Sequence, residues 1–113
     1  MRASIIFLLI LSFAIFAAAQ ARTSKGLDVY VVDVEGGNAT LFVSPSGESL
    51  LFDSGNGGAA AKRDADRILA AVRDAGIKQI DHLATTHYHA DHVGGLPELA
   101  TRIAIRHFID HWN

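Results

Sequence analysis

Three histidines and one aspartate fall within six consecutive residues, His87-Tyr88-His89-Ala90-Asp91-His92, and Gly94-Gly95 follow closely. Neutral imidazole nitrogen and carboxylate oxygen are the ligands that zinc and similar ions take. A helix shows only residues i, i+3 and i+4 on one face, so it cannot aim all four side chains at one point. The spacing therefore predicts a loop over 87–95, entered from a strand end. Adjacent side chains such as Asp91 and His92 are expected to diverge, so the donors read as two pairs serving two ions. A catalytic zinc keeps about three protein ligands and an open position, and two ions about 3.5–4 Å apart can clamp one reacting group. The glycine pair reads as an open mouth beside the site. Surface histidines and a closed structural zinc site are the blander readings.

The flanking sequence is α/β in pattern. Leu27–Val34, Ala39–Val43 and Ser49–Phe52 are rich in β-branched and aromatic residues and predict strands, separated by Gly36-Gly37-Asn38 and by Ser44-Pro45-Ser46-Gly47-Glu48. A meander with mostly antiparallel pairing is expected. Gly55-Asn56-Gly57-Gly58 reads as a flexible turn, since the Walker Gly-Lys-Ser/Thr ending is missing. Ala61, Ala65, Ile68, Leu69, Val72 and Ala75 recur at helical spacing, and Gly76 is placed to stop that helix. Ile77–Thr86 predicts a strand running into the histidine cluster, Pro97–Arg102 a short second helix, and Ile103–Ile109 a last strand. His82, His107 and His111 read as packing or surface residues; spacing singles out neither His107 nor His111 as a missing ligand.

The N-terminus is a separate signal. Of the first 19 residues only Arg2, Ser4 and Ser12 are not apolar, and Ala17-Ala18-Ala19 and Ala19-Gln20-Ala21 both offer small-x-small cleavage sites. Residues 1–21 therefore read as a signal peptide cut after Ala19 or Ala21, which implies a periplasmic or extracellular protein. An uncleaved membrane anchor is the competing reading, although Ala3–Ala19 is at the short limit for spanning a bilayer. No stable anchor remains after cleavage, and with no cysteine there is no acylation site. The missing cysteines also exclude a disulfide scaffold and a Cys-based zinc site. A net charge of −2 argues against a strongly basic nucleic-acid-binding chain. The 113 residues allow one domain at most.

His87-x-His89-x-Asp91-His92 with Gly94-Gly95 resembles the signature of the metallo-β-lactamase-fold hydrolases. Asp53, in Phe-Asp-Ser-Gly at the end of the third strand, is similar to that superfamily's first motif. Val32-Asp33-Val34-Glu35-Gly36-Gly37 followed by Ala39-Thr40-Leu41 is similar to the opening of its ComEC-like competence branch, with Glu35 in place of a glycine and Asn38-Ala39 in place of Asp-Ser. The resemblance covers Leu27 to about Ile109. It implies the N-terminal half of an αββα sandwich, so residues 22–113 are expected to be a partial hydrolase domain whose C-terminal half lies beyond residue 113. His87 and His89 would bind the first metal, Asp91 and His92 the second, and Asp53 would orient their loop by hydrogen bonds. Asp33 and Glu35 are expected to be structural.

The activity implied is zinc-dependent hydrolysis by a metal-held hydroxide, with two zinc ions, or manganese or iron in their place. Asp91 would also act catalytically by orienting that hydroxide. The competence-type opening points to a phosphate ester or related ester as substrate, without direct support for nucleic acid. A β-lactamase or lactonase of the same fold, and a non-catalytic metal-binding envelope protein, remain as alternatives. With two local ligands per ion, the 113 residues by themselves are expected to be inactive and to hold metal weakly. Oligomeric state is not legible.

Overall fold

A computed structural model describes residues 26–111. The expected signal peptide over 1–21 lies outside the described residues. Five strands, β1 (Asp28–Val31), β2 (Thr40–Val43), β3 (Ser49–Phe52), β4 (Ile80–Ala84) and β5 (Ile105–Ile109), form one sheet in sequential order. Three helices join them: α1 (Ala61–Asp74), a single turn α2 (Ala90–Val93), and α3 (Leu96–Ala100) with Pro97 in its first turn, as expected. Strands β1, β4 and β5 are shorter than their apolar runs. Among the described residues no helix is long and apolar enough to cross a membrane.

Connection length decides the pairing direction. The β1–β2 and β2–β3 pairs are antiparallel, as expected of a meander with short links. In the β2–β3 link Gly47, at φ 92°, donates its N–H to the Ser44 carbonyl. The next two links carry helices, and helical crossovers return the chain in the same direction, so β3–β4 and β4–β5 are parallel.

Leu41, Leu51 and Leu83 lie in register across β2, β3 and β4 and are fully buried. They share one core with Ala65, Ile68 and Val72 of α1 and Leu99 of α3. Each buried leucine stabilises the fold by about 1.5–3 kcal/mol. Gly76, at φ 69°, ends α1 as expected. Its N–H meets the Arg73 carbonyl and that of Ile77 meets Val72, the paired bonds of a left-handed helix cap. Among the described residues no helix lies over the opposite sheet face. There Phe42 meets Phe52 edge to face at 5.6 Å, and with Leu27, Leu50 and His82 they line a groove of about 380 Å³.

The parallel β3–β4 pair sets the place of the histidine segment. It brings the carboxyl ends of two strands side by side, and the Asp53 N–H donates to the Ala84 carbonyl at 2.9 Å. Open α/β sheets build their sites outside such strand ends.

Candidate metal centre

Asp53 leaves β3 with a left-handed backbone, φ 59°, unusual for a residue with a Cβ. That turn buries its carboxylate (1% exposed) beneath the histidine segment. Oδ1 accepts the Thr86 N–H at 2.8 Å. Oδ2 accepts from the Thr86 hydroxyl at 2.7 Å, His92 Nδ1 at 2.8 Å and Asn38 Nδ2 at 2.9 Å. Burial pushes the carboxyl pKa upward. The Thr86 N–H, His92, Asn38 and the Thr86 hydroxyl pull it down and prevail, leaving it below the ordinary value of 3.8.

An ionised carboxylate only accepts, so this network assigns the histidine tautomers. Facing that carboxylate, Nδ1 of His92 is the donor, and in the neutral ring Nε2 is then bare. The Thr86 hydroxyl points its hydrogen at Asp53, so its oxygen can accept from His87 Nδ1 at 3.1 Å. His87 therefore also keeps Nε2 bare. A bare ring nitrogen with the other held by hydrogen bonding is the arrangement of a metal-ligating histidine.

The expectation of an unbroken loop over 87–95 is corrected. His89 has extended backbone, φ −66° and ψ 146°, and its carbonyl accepts from His92 and Val93, starting the single helical turn α2. The expected divergence of Asp91 and His92 is corrected as well. With Asp53 holding the far side of the His92 ring, Nε2 of His92 lies 3.7 Å from Asp91 Oδ2. One ion can span that gap at ordinary zinc–ligand lengths of about 2.0–2.2 Å. The His87 ring centre is 3.9 Å from that of His92 and 4.7 Å from that of His89. Three imidazoles and one carboxylate thus share one surface, a donor set that suits zinc. Among the described residues no group of three or more such side chains converges tightly enough to hold an ion. The donors meet two at a time, Asp91 with His92, His92 with His87 and His87 with His89.

The glycines prove to be clearance rather than openness, which corrects the reading of Gly94-Gly95 as an open mouth. A Cβ on Gly95 would overlap the Ser54 carbonyl, one on Gly94 the backbone of Gly57 and Ala90, and one on Gly37 the Asp91 carbonyl. The Ser54 N–H donates to the His92 carbonyl at 2.7 Å and the Gly95 N–H to Gly55 at 3.1 Å. Backbone thus pins the histidine segment on two sides.

The turn at 55–58 is also more ordered than its composition suggests. Asp64, in the first turn of α1 and 0% exposed, accepts the Asn56 N–H at 2.8 Å and Asn56 Nδ2 at 2.9 Å, and pairs with Arg63 at 2.7 Å. Burial raises its pKa, but Asn56 and Arg63 outweigh burial and bring it below 3.8. Glu35, at φ 53°, is gripped by Arg63 and Arg67 at 2.6 and 3.0 Å, and Asp33 Oδ1 accepts the Glu35 N–H. His111 Nε2 bonds the Thr86 carbonyl at 2.9 Å. His82 stacks on His107 at 5.3 Å and meets Glu48 at 3.0 Å, away from the site. Sequence reasoning passed over Asn38, Thr86 and Asp64. Asparagine after two glycines is ordinary turn chemistry, and Asp64 looks like one more charge on a polar helix face.

The family model for the metallo-β-lactamase superfamily matches residues 32–111. The chain belongs to the metallo-β-lactamase superfamily. It is 31% identical to a ribonuclease Z of Bradyrhizobium diazoefficiens over 90 residues, 80% of this chain and 27% of that protein. It is 36% identical to an atrochrysone carboxyl ACP thioesterase of Aspergillus terreus over 63 residues, 56% of this chain and 18% of the relative. It thus spans about a quarter or less of the length of these relatives. Among solved structures, the metallo-β-lactamase MIM-1 of Novosphingobium pentaromativorans superposes with a TM-score of 0.53 at 28% identity, over 68% of this chain and 28% of that one. A metallo-β-lactamase mutant from Cronobacter sakazakii shares the fold, with a TM-score of 0.54 at 23% identity, over 74% of this chain and 34% of that one.

Proposed function

We propose that the chain forms the metal-binding N-terminal part of an exported, metal-dependent hydrolase acting on a phosphate ester or related ester. The Asp53 network carries the reading: one buried carboxylate, directly and through Thr86, leaves Nε2 of both His92 and His87 free for a metal. His87 with His89 would hold one ion and Asp91 with His92 another, zinc being the metal the donors suit best. Bound there, the metal would supply Lewis acidity and lower the pKa of a water to about 7. Asp91 would orient the attacking water by accepting its hydrogen bond. Asp53 would keep the imidazoles aimed and the segment rigid. Donors that meet in pairs fall short of the usual three per catalytic zinc, so further ligands from outside residues 26–111 belong to this reading.

The likeness to ribonuclease Z and the competence-type opening at 32–41 favour phosphate esters. Likeness to MIM-1 favours a β-lactamase or lactonase as the second reading. The open apolar face under Phe42 and Phe52 suits a second sheet, as an αββα sandwich would provide. Export rests on residues 1–21 and predicts a mature N-terminus at Gln20 or Arg22.

The test is metal analysis joined to a substrate screen on the polypeptide carrying this segment, with a chromogenic phosphodiester, a chromogenic cephalosporin and a lactone. Phosphodiester turnover lost in His89→Ala supports the reading. Cephalosporin turnover alone moves it to the second. Full metal content and activity in His89→Ala would sink both.

A further inference from the structure

Asn38 lies between the Gly36-Gly37 turn and β2, and each of its polar groups is engaged. Its main chain bridges two loops. The N–H donates to the Asp91 carbonyl at 3.2 Å, and its own carbonyl accepts the Gly55 N–H at 3.0 Å. Its side chain reaches a third place. Nδ2 donates to Asp53 Oδ2 at 2.9 Å and to the Phe52 carbonyl at 3.3 Å, while Oδ1 accepts the Thr40 hydroxyl at 3.2 Å. Asn38 therefore touches both members of the Asp91–His92 pair, Asp91 through its backbone and His92 through Asp53. The approach to Asp91 depends on the preceding Gly37, where a Cβ would overlap the Asp91 carbonyl.

We infer that Asn38 is a positioning residue for the Asp91–His92 donor pair, its side-chain amide holding the Asp53 carboxylate under His92 and its N–H holding the Asp91 backbone. The chemistry asks for a donor at this place. A carboxylate offers about four lone-pair sites, and Asp53 accepts one bond at Oδ1, from the Thr86 N–H, and three at Oδ2, from the Thr86 hydroxyl, His92 and Asn38, so the amide bears on the same oxygen that holds His92. Without the amide the carboxylate is free to turn, and the bond that keeps the proton on His92 Nδ1 loses its fixed acceptor. An aspartate at 38 has the same shape and still accepts from Thr40, but it sets a second carboxylate against the first. The inference rests on the reading of Asp91 and His92 as metal donors.

The full chain, labelled with 15N in histidine and metal-free at about pH 8 where an ordinary imidazole is neutral, tests it by ring-nitrogen NMR, followed by zinc titration. The expected wild-type signature for His92 is a protonated Nδ1 and a bare Nε2. Asn38→Ala and Asn38→Asp should each mix the two tautomers and weaken zinc binding roughly tenfold, the lower end of the usual outer-partner effect, with His82 and His107 signals unmoved. A folded Asn38→Asp with unchanged His92 tautomer and unchanged zinc affinity would overturn the inference. If both variants unfold, wild type labelled uniformly with 15N still decides: slow exchange of the Asn38 side-chain amide protons supports it, and exchange at the rate of a free amide overturns it. A tautomer change in the variants with no zinc binding by wild type would remove the metal reading and leave the Asn38–Asp53–His92 relay in place.

Discussion

Two histidine clusters occupy this small sheet, and they differ in what lies beneath them. His87, His89 and His92 stand at the end of β4 over the buried Asp53, on a segment pinned by backbone hydrogen bonds from 38 and 54. His82 and His107 stack on the strands themselves, and His82 alone meets a carboxylate, that of Glu48, whose side chain is 65% exposed. Both clusters have imidazoles and a carboxylate within hydrogen-bonding distance. Only the first has a desolvated, fully engaged acceptor that fixes tautomer and ring direction. The two clusters share donor types, and what separates them is the support beneath the donors, the feature that orients metal-ligating histidines.

The largest effect separating the clusters is expected from Asp53→Ala. It leaves Thr86, His92 and Asn38 without their buried acceptor and should cost about 1–3 kcal/mol of stability for each buried donor left unpaired, read by chemical denaturation, with zinc affinity down about 10–100-fold. Unchanged stability would show that the carboxylate does not organise the segment. Gly95→Ala should come next, since the added methyl meets the Ser54 carbonyl. An overpacking cost of about 1–3 kcal/mol and weaker zinc binding are expected, and a neutral result would contradict the close approach of the two loops.

A smaller, pH-dependent effect belongs to Asp64. Its folded pKa lies below the unfolded 3.8, chiefly because Asn56 and Arg63 outweigh burial. Its stabilisation is therefore fully present above pH 3.8 and fades as pH falls below that value through the folded one. In acid denaturation Asp64→Asn should be less stable than wild type at neutral pH, and the gap should narrow in that window. A gap constant with pH would contradict the ionised role of Asp64. The smallest effect is expected from His82→Ala with His107→Ala: stability within about 0.5 kcal/mol and zinc affinity unchanged.

Much of this was legible from residue pattern. The core stripe of α1, its stop at Gly76, the strand cores and the four donors come from periodicity, conformational preference and ligand chemistry. Other features were not legible because they depend on residues far apart in sequence. The positive φ of Asp53 and its contact with Thr86, 33 residues on, have no local signal. Gly37 reads as a turn glycine and Gly94-Gly95 as an open mouth, yet all three are placed for close contact with other segments. The approach of Asp91 to His92 required knowing that residues 90–93 close a helical turn.

The most direct measurement is a zinc titration of the full chain followed by the histidine ring signals in NMR. The account predicts that His87, His89 and His92 respond while His82 and His107 stay fixed, and that Asp53→Ala moves that response to about 10–100-fold higher zinc. Zinc-dependent shifts at His82 and His107, or none at His87, His89 and His92, would contradict it.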